Sequence, residues 1–216
     1  MSCCPADVNG LNRVFRGALV RRERKMFERR GPSERQAGFL AEVDLAGRTV
    51  LDLGCGVGAL GLTALARGAA SATFVEASQA YLSAARALAE ERALGERSSF
   101  LSGDAMGLAL PEADLVMLDR VVCCYPEGPA LLRRAAELSR EALLLSYPRP
   151  SPLLRLAARL AAAVLGLVRH PYRFYLHGEA ALAQAAESSG HRLVAEARYG
   201  RWQLRVYGKY SRYPLV

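Results

Sequence analysis

Short hydrophobic runs alternate with longer amphipathic stretches along most of the chain. The runs are too short for helices and are typical of buried strands. The stretches 60–67 and 79–94 instead have apolar residues at helical spacing. Strands that alternate with helices predict a parallel sheet with right-handed crossovers. The predicted strands of this sheet lie in the stretches 49–53, 72–78, 99–105, 113–119 and 142–146.

The two ends of the chain have patterns of their own. Apolar residues among arginines predict an amphipathic helix over 12–30, which Gly31 and Pro32 end. Ser33 is placed to cap a second helix that reaches about Val43. Three helices, 129–140, 153–168 and 179–189, precede two last strands, 191–199 and 202–210. The short Gly200-Arg201 connection predicts that these two strands form an antiparallel pair.

A glycine-rich turn follows the first predicted strand. Asp52 precedes Gly54, Gly56 and Gly58, and a helix begins directly after them. Glycines allow positive φ and let a ligand approach the backbone amides. The carboxylate of Asp52 would repel a pyrophosphate, whereas it would attract a ligand with an ammonium group and accept a hydrogen bond from it. The turn therefore favours a cationic ligand over a dinucleotide, and a dinucleotide-dependent oxidoreductase is kept as the less favoured alternative.

At this turn the sequence resembles the class I S-adenosylmethionine-dependent methyltransferases, whose first motif is acidic-x-Gly-x-Gly-x-Gly. The resemblance covers 48–148 and implies an α/β, Rossmann-like doubly wound sheet of seven strands, mostly parallel with an antiparallel last strand. Within the class, the stretch 118–126 with 146–149 is similar to a bacterial group likened to magnesium-protoporphyrin O-methyltransferase. Residues 1–47 are then N-terminal helices that either cover the crevice as a lid or pack plainly on the sheet, and 48–216 form the methyltransferase domain.

The resemblance implies S-adenosylmethionine as cofactor and assigns residues to each of its parts. Backbone at Gly54, Cys55 and Gly56 would meet the methionine part, and Asp52 would support its ammonium group. Glu76, followed by Ala77, would accept from the ribose hydroxyls. Asp104 and the amide of Ala105 would meet the adenine, and Asp119 with Arg120 would flank the methionyl end. Acids thus follow four successive strands, and we expect them to converge on one crevice.

The acceptor side is less defined by the sequence. His177, Tyr125 and His170 are, in that order, the candidates for a general base. Arginines such as Arg120 and Arg149 are suited to an anionic group, so we predict O-methylation of a carboxylate or hydroxyl on a small molecule. A protein that binds the cofactor without catalysis is the alternative from another class.

Two motifs decide against other acceptors. Amino-methyltransferases of nucleic acids have Asp/Asn-Pro-Pro-aromatic where this chain has Asp119-Arg120-Val121-Val122, and neither Cys123 nor Cys124 follows a proline as in cytosine C5 enzymes. Nucleic acid is therefore disfavoured as a partner. Cys123 and Cys124, with Cys3-Cys4, leave a thiophilic, arsenite-type methyltransferase as an alternative. They lack Cys-x-x-Cys spacing, so no metal site is predicted.

Composition narrows the setting without naming an acceptor. The chain has 216 residues, enough for one domain, and no low-complexity tract or repeat. The start has no secretory pattern, and five cysteines without extracellular spacing predict reduced thiols in the cytoplasm. A net charge of +8 is compatible with an anionic substrate or a membrane surface. For the apolar helix 153–168, a lid over the acceptor pocket is preferred to contact with a membrane. The oligomeric state stays open.

Overall fold

A computed structural model describes residues 17–169 and 172–209. Two helices come first: α1 is Ala18–Arg30 and α2 is Glu34–Ala41. Gly31, with a φ of 69°, ends α1. Ser33 then caps α2, because its hydroxyl accepts from the Gln36 amide while the Gln36 side chain accepts from the Ser33 amide. Both helices therefore occur where the sequence predicts them, with residues 12–16 outside the described part.

The rest of the chain alternates strands and helices before it ends in a β-hairpin. The strands are β1 Thr49–Leu53, β2 Ser71–Glu76, β3 Ser98–Ser102, β4 Ala113–Asp119, β5 Ser139–Pro148, β6 His191–Tyr199 and β7 Trp202–Lys209. The remaining helices are α3 Ala59–Ala66, α4 Gln79–Glu91, α5 Gly128–Leu138, α6 Pro152–Leu167 and α7 Glu179–Glu187. Short 3-10 turns lie at Gly95–Arg97 and Val122–Cys124.

The seven strands form one sheet in the order β3-β2-β1-β4-β5-β7-β6. Strands β1 to β5 pair in parallel, whereas β7 runs antiparallel to both β5 and β6. The chain reverses between β3 and β4, on either side of β1, so the carboxyl ends of β1 and β4 flank a topological switch point. This confirms the predicted α/β, Rossmann-like doubly wound sheet with an antiparallel last strand.

Alternating residues of strands β1 to β5 and β7 face two separate hydrophobic layers. Val50 and Met117 belong to the layer shared with α1 to α4, while Leu51 and Leu118 face α5 and α7. This alternation is what a sheet covered on both faces requires. Helix α6 contributes no residue to either layer.

Several element ends differ from the predicted ones. The strand predicted over 142–146 extends over Ser139–Pro148, because Ser139 pairs with Ala113 and Pro148 with Trp202. The preceding helix therefore ends at Leu138 rather than at Arg140. Helix α4 ends at Glu91, three residues before the predicted Leu94. These ends depend on pairing with distant strands or on local turns, which the helical period does not report.

Candidate functional site

The glycine turn after β1 has the backbone shape that its sequence predicts. Gly54, Gly56 and Gly58 all have positive φ, at 65°, 58° and 77°. A Cβ at Gly54 would lie 2.7 Å from a methyl carbon of Val121, so only glycine fits there. At Gly56 the nearest atoms to a Cβ belong to Tyr81, at 3.8 Å. Its backbone is thus bare on the side that faces the crevice.

Two cavities open at the carboxyl ends of the strands. The smaller has a volume of about 230 Å³ and the larger about 490 Å³. Residues shared by both linings make them parts of one crevice: Glu23, Gly54, Gly56, Asp119 and Arg120. The larger part is also lined by Asp52, Cys55 and residues of α1 and α2 such as Phe27, Arg30 and Glu34. The smaller part also includes Glu76, Ala77, Ala105 and five aromatic side chains: Tyr81, Tyr125, Tyr172, Phe174 and Trp202.

Asp52 is buried beneath the glycine turn. Its Oδ2 accepts from the amide of Gly61 at 3.1 Å, and 1% of the residue is exposed. Burial raises the pKa of Asp52 to about 8, with the charges of Asp119 and Glu76 adding to the shift and the Gly61 amide opposing it. A cationic group in the larger part of the crevice would favour the ionised form.

Glu76 at the end of β2 is held from two sides. One oxygen accepts from the Gly56 amide at 3.0 Å and the other from the Ser78 amide at 2.9 Å. Burial raises the pKa of Glu76, and these amide bonds oppose the shift. The backbone amides do not use all four lone pairs of the carboxylate, so the side chain can still accept from a ligand in the smaller part of the crevice.

Asp104 lies beside the crevice, between lining residues Gly103 and Ala105, without itself lining either part. Its Oδ1 accepts from the Met106 amide at 2.9 Å and from the hydroxyl of Tyr125 at 2.5 Å. Burial, and then the bond to Asp104, raise the pKa of Tyr125. Tyr125 is therefore a phenol at neutral pH, which donates a proton in a hydrogen bond and is a poor general base.

Asp119 at the end of β4 is almost fully occupied by neighbours. Arg35 of α2 donates to both of its oxygens, at 2.9 and 2.8 Å, and Gln36 donates at 3.2 Å. The Ser146 hydroxyl donates as well. Burial alone would raise the pKa of Asp119, but the Arg35 bonds and the charges of Arg35 and Arg120 outweigh it and hold the pKa below its ordinary value. Asp119 therefore anchors α2 to the sheet beside the crevice.

Arg120 follows in the left-handed backbone region, with a φ of 64°. Its amide donates to Ser146 Oγ at 2.9 Å, and its side chain reaches the crevice. The guanidinium groups of Arg35 and Arg120 lie 5.5 and 6.0 Å from the ring centre of Trp202. Left-handed backbone is unfavourable for an arginine and is often found at functional sites. It places a cation at the junction of the two parts of the crevice.

Both thiols of the vicinal pair line the smaller part of the crevice. The Sγ of Cys123 donates to the carbonyl of Arg120 at 3.3 Å, and the Sγ of Cys124 lies 3.8 Å from the Tyr172 hydroxyl. Hydrogen bonding between the thiols raises the pKa of Cys123 and lowers that of Cys124. Among residues 17–169 and 172–209, no cluster of three or more His, Cys, Asp or Glu side chains could hold a metal ion.

Of the two histidine candidates, only His177 lies within the described residues. His177 Nε2 lies 2.9 and 3.0 Å from the carbonyl oxygens of Val122 and Tyr125. Carbonyls only accept, so this nitrogen carries the proton, and His177 braces the 122–125 turn without lining the crevice. His170 lies outside the described residues. His177 is thus not at the cavity wall, and the geometry favours a structural role for it.

Crevice residues that the sequence did not reveal include Glu23, Arg35 and Trp202. Glu23 of α1 hydrogen-bonds Tyr81, and Arg35 pairs with an acid 84 positions later. Trp202 lies in the strand predicted over 202–210, and its position in the sequence gives no sign of the crevice. Contacts over such separations leave no trace in local periodicity. The alternative that residues 1–47 form a lid is the signal that pointed to α1 and α2 as part of the crevice.

Comparison with known proteins supports the fold-based view of this site. Residues 50–141 match the family described as methyltransferase domain. Magnesium protoporphyrin IX methyltransferase from Synechocystis PCC 6803, solved with bound SAH, superposes with a TM-score of 0.72 at 21% identity, over 94% of this chain and 99% of that one. An O-methyltransferase family protein from Burkholderia thailandensis gives 0.67 at 22% identity, over 88% and 59%. At such identities the likeness establishes the fold.

A curated relative is similar over a shorter stretch. Ribosomal protein L11 methyltransferase from Erwinia tasmaniensis is 36% identical over 102 residues, which are 46% of this chain. The matched part spans about a third of that relative, 31% of its length. The family match runs from β1 into β5 and so contains the glycine turn, Glu76, Asp104 and Asp119. Residues 50–141 are thus similar to a methyltransferase domain over the part of the chain that carries these crevice residues.

Proposed function

We propose that this protein binds S-adenosylmethionine in the crevice and transfers its methyl group to an oxygen of a small molecule. The observation that supports this most directly is the glycine turn. It leaves open space beside Gly56, where a side chain would stand, between two carboxylates at the ends of neighbouring strands, Asp52 and Glu76. A ligand with an ammonium group and a pair of hydroxyls matches this set of acceptors.

The residues present fit the cofactor, except that Asp119 is paired with Arg35 and would not contact it directly. Asp52 would support the ammonium of the methionine part beside Gly54 and Cys55, and Glu76 with Ala77 would hold the ribose. Arg120 is placed to meet the methionyl carboxylate, while Asp119, already paired with Arg35, would act by fixing that end of the site. At the adenine end, both described bonds of Asp104 go to Oδ1, so Oδ2 is the oxygen for an amino group, next to the Ala105 amide.

An acceptor that is already ionised suits this crevice best. S-adenosylmethionine supplies an activated methyl group on a sulfonium, so positioning the acceptor oxygen in line provides much of the catalysis. No histidine or lysine is found among the described residues that line the smaller part, and Tyr125 stays protonated. A carboxylate needs no base, and the aromatic walls of the smaller part suit an aromatic acid. We therefore favour a small aromatic carboxylate over a hydroxyl.

The test is methyl transfer from radiolabelled S-adenosylmethionine to a panel of aromatic carboxylic acids and phenols. A methyl ester releases its label as methanol in base, whereas a methyl ether does not, so the product identifies the acceptor atom. Base-labile product is expected with at least one acid and not with the matching phenol. Cofactor binding without turnover on any acceptor would instead support a cofactor-binding protein without catalysis.

A thiophilic acceptor is the second candidate, because both thiols of Cys123 and Cys124 line the smaller part of the crevice. Such an enzyme would bind arsenite through these soft ligands. Replacing both cysteines by serine separates the two functions. Arsenite methylation that survives the double replacement would exclude the thiols from the reaction, and ester formation is expected to survive it.

A further inference from the structure

Helix α6 exposes a continuous apolar stripe. Its exposed large side chains recur at intervals of three and four residues: Leu153 at 77%, Leu156 at 54%, Leu160 at 60%, Val164 at 59% and Leu167 at 85%. No residue of this 16-residue helix is buried. Large exposed apolar patches of this kind usually mark a contact surface.

The stripe faces away from the protein. The partly covered positions of α6 are Leu154, Ala158, Ala162 and Leu165. At about 100° per residue they lie on a face centred roughly 155° from the stripe. The helix is thus partly covered on the face of two leucines and two alanines, and its five-residue apolar stripe is turned outward. A helix that only packs on its own domain has the reverse arrangement.

The same helix does not act as a cover for the crevice. No residue of α6 lines either part, whereas Tyr172 and Phe174, which follow it, line the smaller one. The sequence-based preference for a lid is therefore not what the geometry of α6 supports. The outward stripe is therefore a surface for a partner outside the domain.

The charges around the stripe favour a partner with an anionic surface. Arg155 and Arg159 lie within the helix and Arg169 just after it, all exposed. No Asp or Glu occurs in the sequence between Glu141 and Glu179. A second copy of the chain would bring the same positive charges to the contact, which opposes self-association. Arginines beside an outward apolar stripe instead match a lipid surface that bears negative headgroups.

We propose that α6 docks flat on the surface of an anionic lipid bilayer, with the stripe entering the acyl boundary and the arginines meeting the headgroups. This inference does not depend on the proposed methyl transfer. No helix in the described part of the chain is long and apolar enough to cross a membrane. The contact is therefore interfacial.

The experiment is co-sedimentation of the full chain with vesicles of phosphatidylcholine alone and of phosphatidylcholine mixed with phosphatidylglycerol. Binding is expected with the mixed vesicles and at least tenfold weaker without phosphatidylglycerol. The Leu156→Ser/Leu160→Ser variant should bind the mixed vesicles at least tenfold less. Arg155→Gln/Arg159→Gln should weaken binding and reduce its dependence on salt.

A matched variant controls for a general loss of hydrophobicity. Met106→Ser/Leu193→Ser removes two apolar side chains, each 36% exposed, outside α6 and should bind as the wild type does. Circular dichroism and the midpoint of urea unfolding show whether each variant is folded. Equal binding by the α6 double-serine variant, or no binding of the folded wild type to mixed vesicles, would overturn the proposal. Dimers that dissociate on the double-serine exchange, without vesicle binding, would assign the stripe to a second copy.

Discussion

Glu76 is the residue on which the proposed ribose contact depends. Replacing it by Gln keeps its size but removes the charge that strengthens two hydrogen bonds from hydroxyls. We expect the Glu76→Gln variant to bind S-adenosylhomocysteine about 1.5 kcal/mol or more weakly, on the order of tenfold, in calorimetric titration.

The exposed carboxylate of Glu112 offers a control for that exchange. Glu112→Gln makes the same chemical change away from the crevice and should bind like the wild type. If both variants bound equally well, Glu76 would have no part in cofactor binding. If neither the variants nor the wild type bound the ligand, the proposed function would be withdrawn.

Asp52 predicts a pH dependence of stability. Its pKa is about 8 in the folded protein, against an ordinary value near 3.8, because burial disfavours the charge. Between these values the unfolded chain has released the proton while the folded chain keeps it, so the free energy of unfolding falls as pH rises. The Asp52→Asn variant lacks this proton and should lose that slope, at most about 1.4 kcal/mol per pH unit.

Urea unfolding of both proteins measures the two free energies of unfolding at several pH values between about 5 and 8, a range between the two pKa values. The free energy of the variant minus that of the wild type should grow with pH. A constant difference would mean that Asp52 is ionised throughout the range in the folded protein.

At the scale of single residues, the sequence was informative where a motif is local. Gly54, Gly56, Asp52 and Glu76 lie within 25 positions of one another, and the strand-turn-helix pattern places them together. Arg35 could not be found in this way, because its partner Asp119 belongs to another part of the chain and the pair forms only in the folded sheet.

The buried ion pair between Arg35 and Asp119 joins α2 to β4. The two side chains are 11% and 8% exposed, so removal of one leaves a buried charge without its partner. We expect Arg35→Met to lower the free energy of unfolding by about 3 kcal/mol, measured by urea unfolding.

A double replacement tests whether the unpaired charge is the cause. Arg35→Met/Asp119→Asn removes both charges and should be more stable than Arg35→Met alone. If the double variant instead had a lower free energy of unfolding than Arg35→Met, the contacts of Asp119 with Gln36 and Ser146 would contribute more to stability than the ion pair.

At the scale of elements, type and order were predictable and orientation was not. The period of α6 reveals an apolar stripe, but the period is the same whether the stripe faces the domain or solvent. The packing of Leu154 and Ala158 decides this, and it depends on the surface on which the helix lies. Similarly, the length of β5 follows from its two neighbours, β4 and β7.

For the whole molecule, a ligand that binds only the folded chain adds to its stability. S-adenosylhomocysteine at 100 times its dissociation constant should contribute about 2.7 kcal/mol. For a chain of this size, that corresponds to a rise of about 5–10 °C in the melting temperature. Thermal unfolding with and without the ligand measures the shift, which should be smaller for Glu76→Gln at the same concentration. An equal shift in both proteins would indicate binding elsewhere.

The position of β7 in the sheet affects how the chain folds while it is synthesised on the ribosome. β7 lies between β5 and β6, although it is the last of the three to be synthesised. Until residues 202–209 leave the exit tunnel, the edge of β5 opposite β4 stays unpaired, and Leu143 and Leu145 lack part of their cover. An open apolar edge is prone to pair with other chains. Nascent chains that stall before Trp202 are thus the forms in which aggregation is most expected.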